Sequence, residues 1–230
     1  MQKVCSSNIL EIACFHIESC IEAQQAGADR IEFCKDYSLG GITPSHDDIL
    51  KARQALHIPL HIIIRPRGGN FIYTKDEVET MKRDIIFCKE NGINGVVFGA
   101  LTTDHKFDSF INKEFLEVAG SMSATFHRAI DECADIDDAM VNLIKAGFTR
   151  VLTSGGKQNA LDGIQNINRL QQKFGKQIII IPGGGIRSSN ISRLLEQTEC
   201  FEFHSAALTS TKELVDTTEI KQLLQKIKLT

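Results

Sequence analysis

Three consecutive glycines, Gly183–Gly185, follow a run of isoleucines late in the chain and could form an anion site. Pro182 ends the preceding strand, and Ser188, Ser189 and Asn190 then open a helix with good N-cap residues. Backbone N–H groups can approach a ligand closely where no Cβ intervenes. The unpaired donors at a helix N-terminus favour an anion, most naturally a phosphate. The alternative is that the glycines only form a tight turn.

Charged and titratable side chains fall in four different predicted strands. These residues are Glu11, Glu32, Arg65 and His127. Because an unpaired buried charge is costly, a paired polar cluster at one end of a barrel would explain all four together. Arg65 or Arg67 could hold an anionic group through bidentate hydrogen bonds. His127 or Glu32 could then act as general acid or base, with Arg65 completing a candidate catalytic set.

Each of these residues also has a structural interpretation, and both interpretations stay open at this point. Glu11 and Glu32 could form a buried ion-pair network with Arg65. His127 could be a core histidine, and Arg67 could be solvated. A cysteine such as Cys34 is more often an inert buried thiol than a ligand.

Short apolar runs alternate with amphipathic stretches along the whole chain, which indicates alternating strands and helices. The predicted strands are Ile9–Cys14, Arg30–Cys34, Leu60–Arg65, Gly95–Gly99, Ala124–Arg128, Arg150–Thr153, Gln177–Ile181 and Glu199–His204. The predicted helices are His16–Ala26, Ser45–Leu56, Lys75–Asn91, Lys113–Ala119, Ile136–Ala146, Ala160–Phe174, Asn190–Gln197 and Thr217–Lys228.

Three segments repeat the same order of helix end, glycine and strand, around Gly27, Gly92 and Gly147. Eight strand–helix units predict a (β/α)8 TIM-type barrel, an α/β fold formed by a single domain over residues 1–230. An open doubly wound sheet is the alternative, but eight units are present and no GxGxxG motif opens the chain. Barrels often bind phosphate with the loops after strands seven and eight. The glycine triplet and Ser205 occupy those two loops, so we predict an anion site there.

Composition excludes several classes of function. The chain has 230 residues, 42% of them hydrophobic, and a formal net charge of −3 without a basic block, so nucleic acid is not expected as a partner. No apolar run is long enough to cross a membrane or to serve as a signal peptide, which predicts a cytoplasmic protein with no membrane partner. Its seven cysteines form no CxxC pair and are expected to be mostly buried thiols.

Seven long segments in this order resemble the CutC copper-homeostasis family. The segments are Gly27–Glu32 with Cys34, Gly40–Ser45, Arg65–Gly69, Val96–Leu101, Thr125–Ala129, Val151–Gly156 and Pro182–Gly185. The resemblance extends from the first predicted strand to the eighth. It implies a TIM barrel, a cytoplasmic location, and a homodimer or higher homo-oligomer. It also implies a role in copper handling, with Cu(I) as the candidate ligand.

The resemblance also implies which cysteines would bind the metal. Family members often have a cysteine two positions after the strand-one glutamate and another two positions after the strand-two glutamate. Here the second is Cys34, whereas Ala13 occupies the first position and Cys14 follows it. A shift of one residue in a strand turns the side chain to the opposite face, unless the strand has already ended. Cys34 and Cys14 are therefore the candidate ligands, with His127 as a further one.

Two functions of different class remain. The first is copper handling through Cu(I) bound at Cys34. The second is an enzyme that acts on a small phosphorylated or otherwise anionic metabolite at the barrel mouth.

Overall fold

Eight parallel strands alternate with eight α-helices in a computed structural model that describes residues 8–210 and 213–228. The strands are β1 Ile9–Cys14, β2 Arg30–Phe33, β3 Leu60–Ile63, β4 Gly95–Phe98, β5 Ser123–Phe126, β6 Arg150–Thr153, β7 Ile179–Pro182 and β8 Glu202–Ser205. The α-helices are α1 Ile17–Ala26, α2 His46–Ala55, α3 Lys75–Glu90, α4 Ser109–Ala119, α5 Ile136–Ala146, α6 Ile164–Phe174, α7 Ile191–Gln197 and α8 Thr217–Lys228.

The strands form one sheet in the order β7-β6-β5-β4-β3-β2-β1-β8, and every described pairing is parallel. The two outer strands of that order, β7 and β8, lie next to each other in space, so the sheet is a nearly closed barrel. This confirms the predicted (β/α)8 architecture. None of the described helices is long and apolar enough to cross a bilayer.

The repeated glycines end helices as the sequence predicts. Gly27 and Gly147 adopt left-handed conformations, with φ of 100° and 101°, directly after α1 and α5. Each donates its backbone N–H to carbonyls of the last helical turn, which is the usual role of a C-terminal glycine. Gly92 also has a positive φ, of 68°, but Asn91 stands between it and α3.

Two helices begin four residues away from their predicted starts, and the other six begin within one residue of theirs. α4 begins at Ser109, four residues before the predicted start, because the Asp108 carboxylate accepts the N–H groups of Phe110 and Ile111. α6 begins only at Ile164, because the segment from Ala160 to Gly163 forms a turn. The apolar periodicity does not mark either boundary.

Alternate residues of each strand face two different environments. In β1, Leu10, Ile12 and Cys14 join the large apolar core between the strands and the helices. Ala13 joins a small apolar cluster that also contains Cys34. Successive side chains of a strand point to opposite faces, so this second cluster lies on the inner side of the barrel. The candidate site occupies this inner side.

Candidate functional site

A buried ion-pair network lies inside the barrel. Arg30 donates from Nε to Glu11 Oε2 at 2.5 Å and from Nη2 to Glu202 Oε2 at 2.6 Å. Arg150 Nε reaches the same Glu202 oxygen at 3.0 Å. The predicted structural network therefore exists around Glu11, but Arg30 is its cation and Arg65 is not part of it. It fixes the position of one carboxylate oxygen of Glu11.

His204 connects this network to Glu32. Its Nδ1 lies 2.7 Å from Glu11 Oε1, and its Nε2 lies 3.5 Å from Glu32 Oε2. Burial disfavours the charged form of Glu11, but Arg30 and His204 outweigh it and hold the pKa well below its usual range. Burial raises the pKa of Glu32 to about 7, although His204 opposes this shift. Glu32 therefore titrates near neutral pH.

The candidate ligands fit a two-thiolate Cu(I) site poorly. Within residues 8–210 and 213–228, Glu11, Glu32 and His204 form a group whose potential ligand atoms all lie within 4.8 Å of one another. Carboxylate and imidazole ligands suit divalent cations, whereas Cu(I) prefers soft sulfur ligands. No cysteine belongs to this group.

A small cavity of about 120 Å³ opens beside His204 at the carboxyl ends of the strands. The predicted residues Glu32, Cys34, Arg65 and His127 all line it. The four side chains that the sequence analysis assigned to the site therefore meet at one place. Phe71, on the loop after β3, is a further wall of the cavity.

Arg65 is a buried cation that lines the cavity without a carboxylate partner. Its side chain is 6% exposed, and its Nη atoms donate to the carbonyls of Leu39 at 2.9 Å, Gly41 at 3.1 Å and Gly69 at 2.7 Å. Its Nε has no hydrogen-bond partner. In the described parts of the chain, no carboxylate oxygen lies within 4.0 Å of its guanidinium. Phe71 packs its ring 4.8 Å from the guanidinium carbon.

His127 presents a neutral imidazole to the same cavity. Its Nδ1 accepts the N–H of Ala129 at 3.3 Å, which leaves the proton on Nε2. Burial, together with the nearby positive charge of Arg65, lowers the pKa of His127 to about 3. The Nε2 atom is buried and has no partner among the described residues. His127 therefore lines the cavity and carries an unused hydrogen-bond donor that is buried in this structure.

The state of His127 predicts a pH dependence of stability. Its folded pKa of about 3 lies below the ordinary value of 6.5, so the unfolded chain binds a proton that the folded chain does not. We expect His127 to contribute a loss of about 2 kcal/mol in the free energy of unfolding between pH 7.5 and pH 5. Urea unfolding of the wild type and of His127→Gln at both pH values measures it. An equal loss of stability in both proteins would contradict the buried neutral state.

Three predicted residues do not join the cavity. Cys14 packs in the core between strands and helices, together with Cys20, and so lies on the opposite side of the sheet from Cys34. Arg67 pairs with Glu77 at 2.6 Å, and its remaining donors go to nearby loop oxygens. The Ser205 hydroxyl donates to a backbone carbonyl, that of Ile186, at 2.7 Å.

The members of the glycine triplet differ in what they can offer. The Gly183 N–H donates to the carbonyl of Thr153, so it is not available to a ligand. Gly184 and Gly185 have φ of 97° and 74°, and no residue in the described ranges accepts a hydrogen bond from their N–H groups. Asn190 makes no cap for α7; its side chain instead bonds the Gly185 carbonyl.

The sequence analysis did not assign His204 and Arg128 to the site, although both line the cavity. His204 shares one face of β8 with Glu202. Two polar residues on the same face of a buried strand are the sequence pattern that could have identified His204 as part of the site. Arg128 directly follows His127, but it lies beyond the end of β5, where parity no longer predicts direction. Its position depends on the short 3₁₀ turn Arg128–Glu132.

Together, the barrel and its cavity define a TIM-type barrel protein with a polar site at the carboxyl ends of the strands. The sequence model of the CutC family matches residues 8–209. This chain belongs to the CutC family.

Two relatives and one solved structure agree with this assignment. A CutC family protein of Chromobacterium violaceum is 41% identical over 199 residues, 86% of this chain and 81% of the relative. The human protein named copper homeostasis protein cutC homolog is also 41% identical over 199 residues, 86% of this chain and 73% of the relative. The crystal structure of CutC from Streptococcus agalactiae superposes with a TM-score of 0.83 at 29% identity, covering 86% of this chain and 98% of that one.

Proposed function

We propose that the cavity binds a small anionic metabolite and carries out proton-transfer chemistry on it. Arg65 is the observation that supports this function. A guanidinium that is 6% exposed and lacks a carboxylate partner is costly to bury, and an anionic ligand would compensate its charge. The buried Nε of the same side chain also lacks a hydrogen-bond partner among the described residues.

The neighbouring residues supply the remaining parts of such a site. The Nε2–H of His127 can donate to a carbonyl or carboxylate oxygen of the ligand, because its proton cannot be lost near neutral pH. Glu32 can take up or release a proton on the opposite wall. His204, which lies between Glu11 and Glu32, holds that carboxylate in place.

A panel of phosphorylated and carboxylated metabolites, screened by thermal shift against the wild type, tests this function. A ligand of the proposed site raises the melting temperature through mass action. The same ligand should have no effect on a variant that lacks the Arg65 guanidinium. Stabilisation that persists without Arg65 would overturn the proposal.

Copper handling is the second candidate, and it is favoured by Cys34 in the wall of the same cavity and by the name of the human relative. The thiol is 3% exposed. Burial raises the pKa of Cys34 well above its usual range, and the nearby Glu32 raises it further, which disfavours the thiolate that a metal needs. Ala13 stands where a second inward thiol would lie.

If the protein handles copper, Cu(I) should bind through Cys34, and a second thiol in the cavity should increase the affinity for Cu(I). Under anaerobic conditions, a chelator competition should give a site of roughly nanomolar affinity or tighter that is lost in Cys34→Ala. Ala13→Cys should tighten it by at least tenfold, because Ala13 and Cys34 share one cluster. Cys200→Ala, which removes a buried thiol outside the cavity, is the control. Weak binding that is the same in all four proteins would contradict copper handling.

We also infer a reducing compartment such as the cytoplasm, because the cysteines in the described ranges are all free thiols. The homodimer or higher homo-oligomer implied by the family stays a prediction. Size-exclusion chromatography with light scattering measures it directly.

A further inference from the structure

We infer that the site takes a ligand with two anionic groups, and that Arg128 with Gly184 and Gly185 holds the second of them. This inference rests on the proposed function, because the first anionic group is the one bound at Arg65. It adds a second binding subsite and thereby narrows the class of ligand.

The cavity at Arg65 is the smaller of two adjoining cavities. Its volume of about 120 Å³ corresponds to about four water molecules at ~30 Å³ each, which is room for a head group of a few non-hydrogen atoms. A larger outer cavity of about 540 Å³ adjoins it. The two cavities share Gly40, Arg65, Phe71 and Arg128 in their walls. A ligand whose head group lies at Arg65 therefore extends past Arg128.

Arg128 is held in place but keeps one nitrogen free. Its Nε pairs with Asp131 at 3.0 Å, and its Nη2 donates to Ser154 Oγ at 2.8 Å and to the carbonyls of Lys157 and Gln158 at 3.2 and 3.3 Å. The Nη1 atom makes no hydrogen bond to any residue that the structure describes. With its other atoms fixed, the guanidinium is preorganised to offer this donor to a ligand.

The carboxylate of Asp131, which pairs with Arg128, also accepts hydrogen bonds from neutral donors. Asp131 accepts hydrogen bonds from the hydroxyl of Thr153 at 2.5 Å and from the N–H groups of Ser154 and Gly156 at about 3 Å. Through these hydrogen bonds, the carboxylate holds the loop after β6 in place. Lys157 and Glu132 add one positive and one negative charge to the wall of the outer cavity, beside Arg65 and Arg128.

Gly184 lies directly against the free nitrogen of Arg128, and Gly185 follows it in the chain. A Cβ on Gly184 would stand 3.2 Å from Arg128 Nη1, so a larger residue would crowd the guanidinium. The N–H groups of Gly184 and Gly185 also lack acceptors among the described residues. A guanidinium nitrogen beside two free N–H groups, one of them in an exposed glycine, is the donor set that binds the oxygens of a phosphate ester.

The ligand class that fits both subsites is a small phosphate ester with a second anionic group a few bonds away. Phosphoglycolate carries a phosphate and a carboxylate, whereas glycolate carries the carboxylate alone. Isothermal titration of both compounds is therefore a direct test. We expect phosphoglycolate to bind at least tenfold more tightly than glycolate to the wild type. Arg128→Met should reduce this advantage to less than threefold, because it removes the guanidinium of the second subsite.

Arg83→Met is the matched control, since Arg83 is exposed on α3 and lines neither cavity. Equal affinity of the wild type for the two compounds would overturn the second subsite. An Arg128→Met variant that loses affinity for both compounds by the same factor would overturn it as well. In either case, glycolate binding that depends on Arg65 would leave the proposed function standing. If neither compound binds in an Arg65-dependent manner, the proposed function fails with it.

Discussion

Replacing Arg65 with methionine should weaken binding of an anionic ligand by about 100-fold. A hydrogen bond to a charged group contributes about 1.5–3 kcal/mol, and the guanidinium is the cation of the inner cavity that has no carboxylate partner among the described residues. Methionine keeps most of the side-chain length but has neither charge nor donors. Isothermal titration with the best ligand from the metabolite panel measures the effect.

Arg67 provides the matched control for this experiment. It lies two residues further along the chain, but it is committed to Glu77 and lines neither of the two cavities that Arg65 lines. Arg67→Met should therefore leave ligand affinity within about twofold of the wild type. Because Arg65 also holds three loop carbonyls, Arg65→Lys serves as a second variant that retains the charge. Full affinity in Arg65→Met would place the anion elsewhere.

Replacing Arg30 with methionine should destabilise the fold by about 3–5 kcal/mol. The substitution removes the buried cation that Glu11 and Glu202 share and leaves them only His204 and Arg150 as partners, and breaking a buried ion pair from one side is strongly unfavourable. Urea unfolding at pH 7 measures the loss. Breaking the exposed pair between Lys113 and Glu117 with Lys113→Met should cost less than about 1 kcal/mol.

A second variant separates charge from packing at Arg30. Arg30→Met combined with Glu11→Gln and Glu202→Gln removes the two carboxylates along with the cation. We expect this triple variant to be more stable than Arg30→Met alone, because neither buried carboxylate is left without the cation; Arg150 loses its partner Glu202 but is 19% exposed. A triple variant that is less stable than the single one would mean that side-chain packing, not charge, dominates at this position.

The sequence predicts the barrel well, because each strand is a short apolar run between two stretches with helical periodicity. It also predicts which interior residues meet at the mouth. Glu32, Arg65 and His127 lie in or next to different strands, and strand parity places them on one side of the sheet. In a parallel barrel the carboxyl ends of the strands converge, so residues distant in sequence become neighbours in space.

The residues that the sequence misplaces lie where parity stops applying or where a partner cannot be foreseen. Arg67 follows the end of β3, and its partner Glu77 comes from the first turn of α3. Arg128 follows β5 and turns back through a short 3₁₀ segment to Ser154. Such contacts depend on loop geometry, which no periodic pattern in the sequence encodes.

The place where the barrel closes has a mechanical consequence. β7 and β8 are neighbours, but the described strand pairings run only from β8 through β1 to β7. At the carboxyl end of β8, the Ser205 hydroxyl donates a hydrogen bond to the carbonyl of Ile186, which follows β7. The barrel therefore has one seam, between β7 and β8, that no described strand pairing bridges. It can widen at this seam, beside Gly183–Gly185, without breaking the hydrogen bonds of any paired strands.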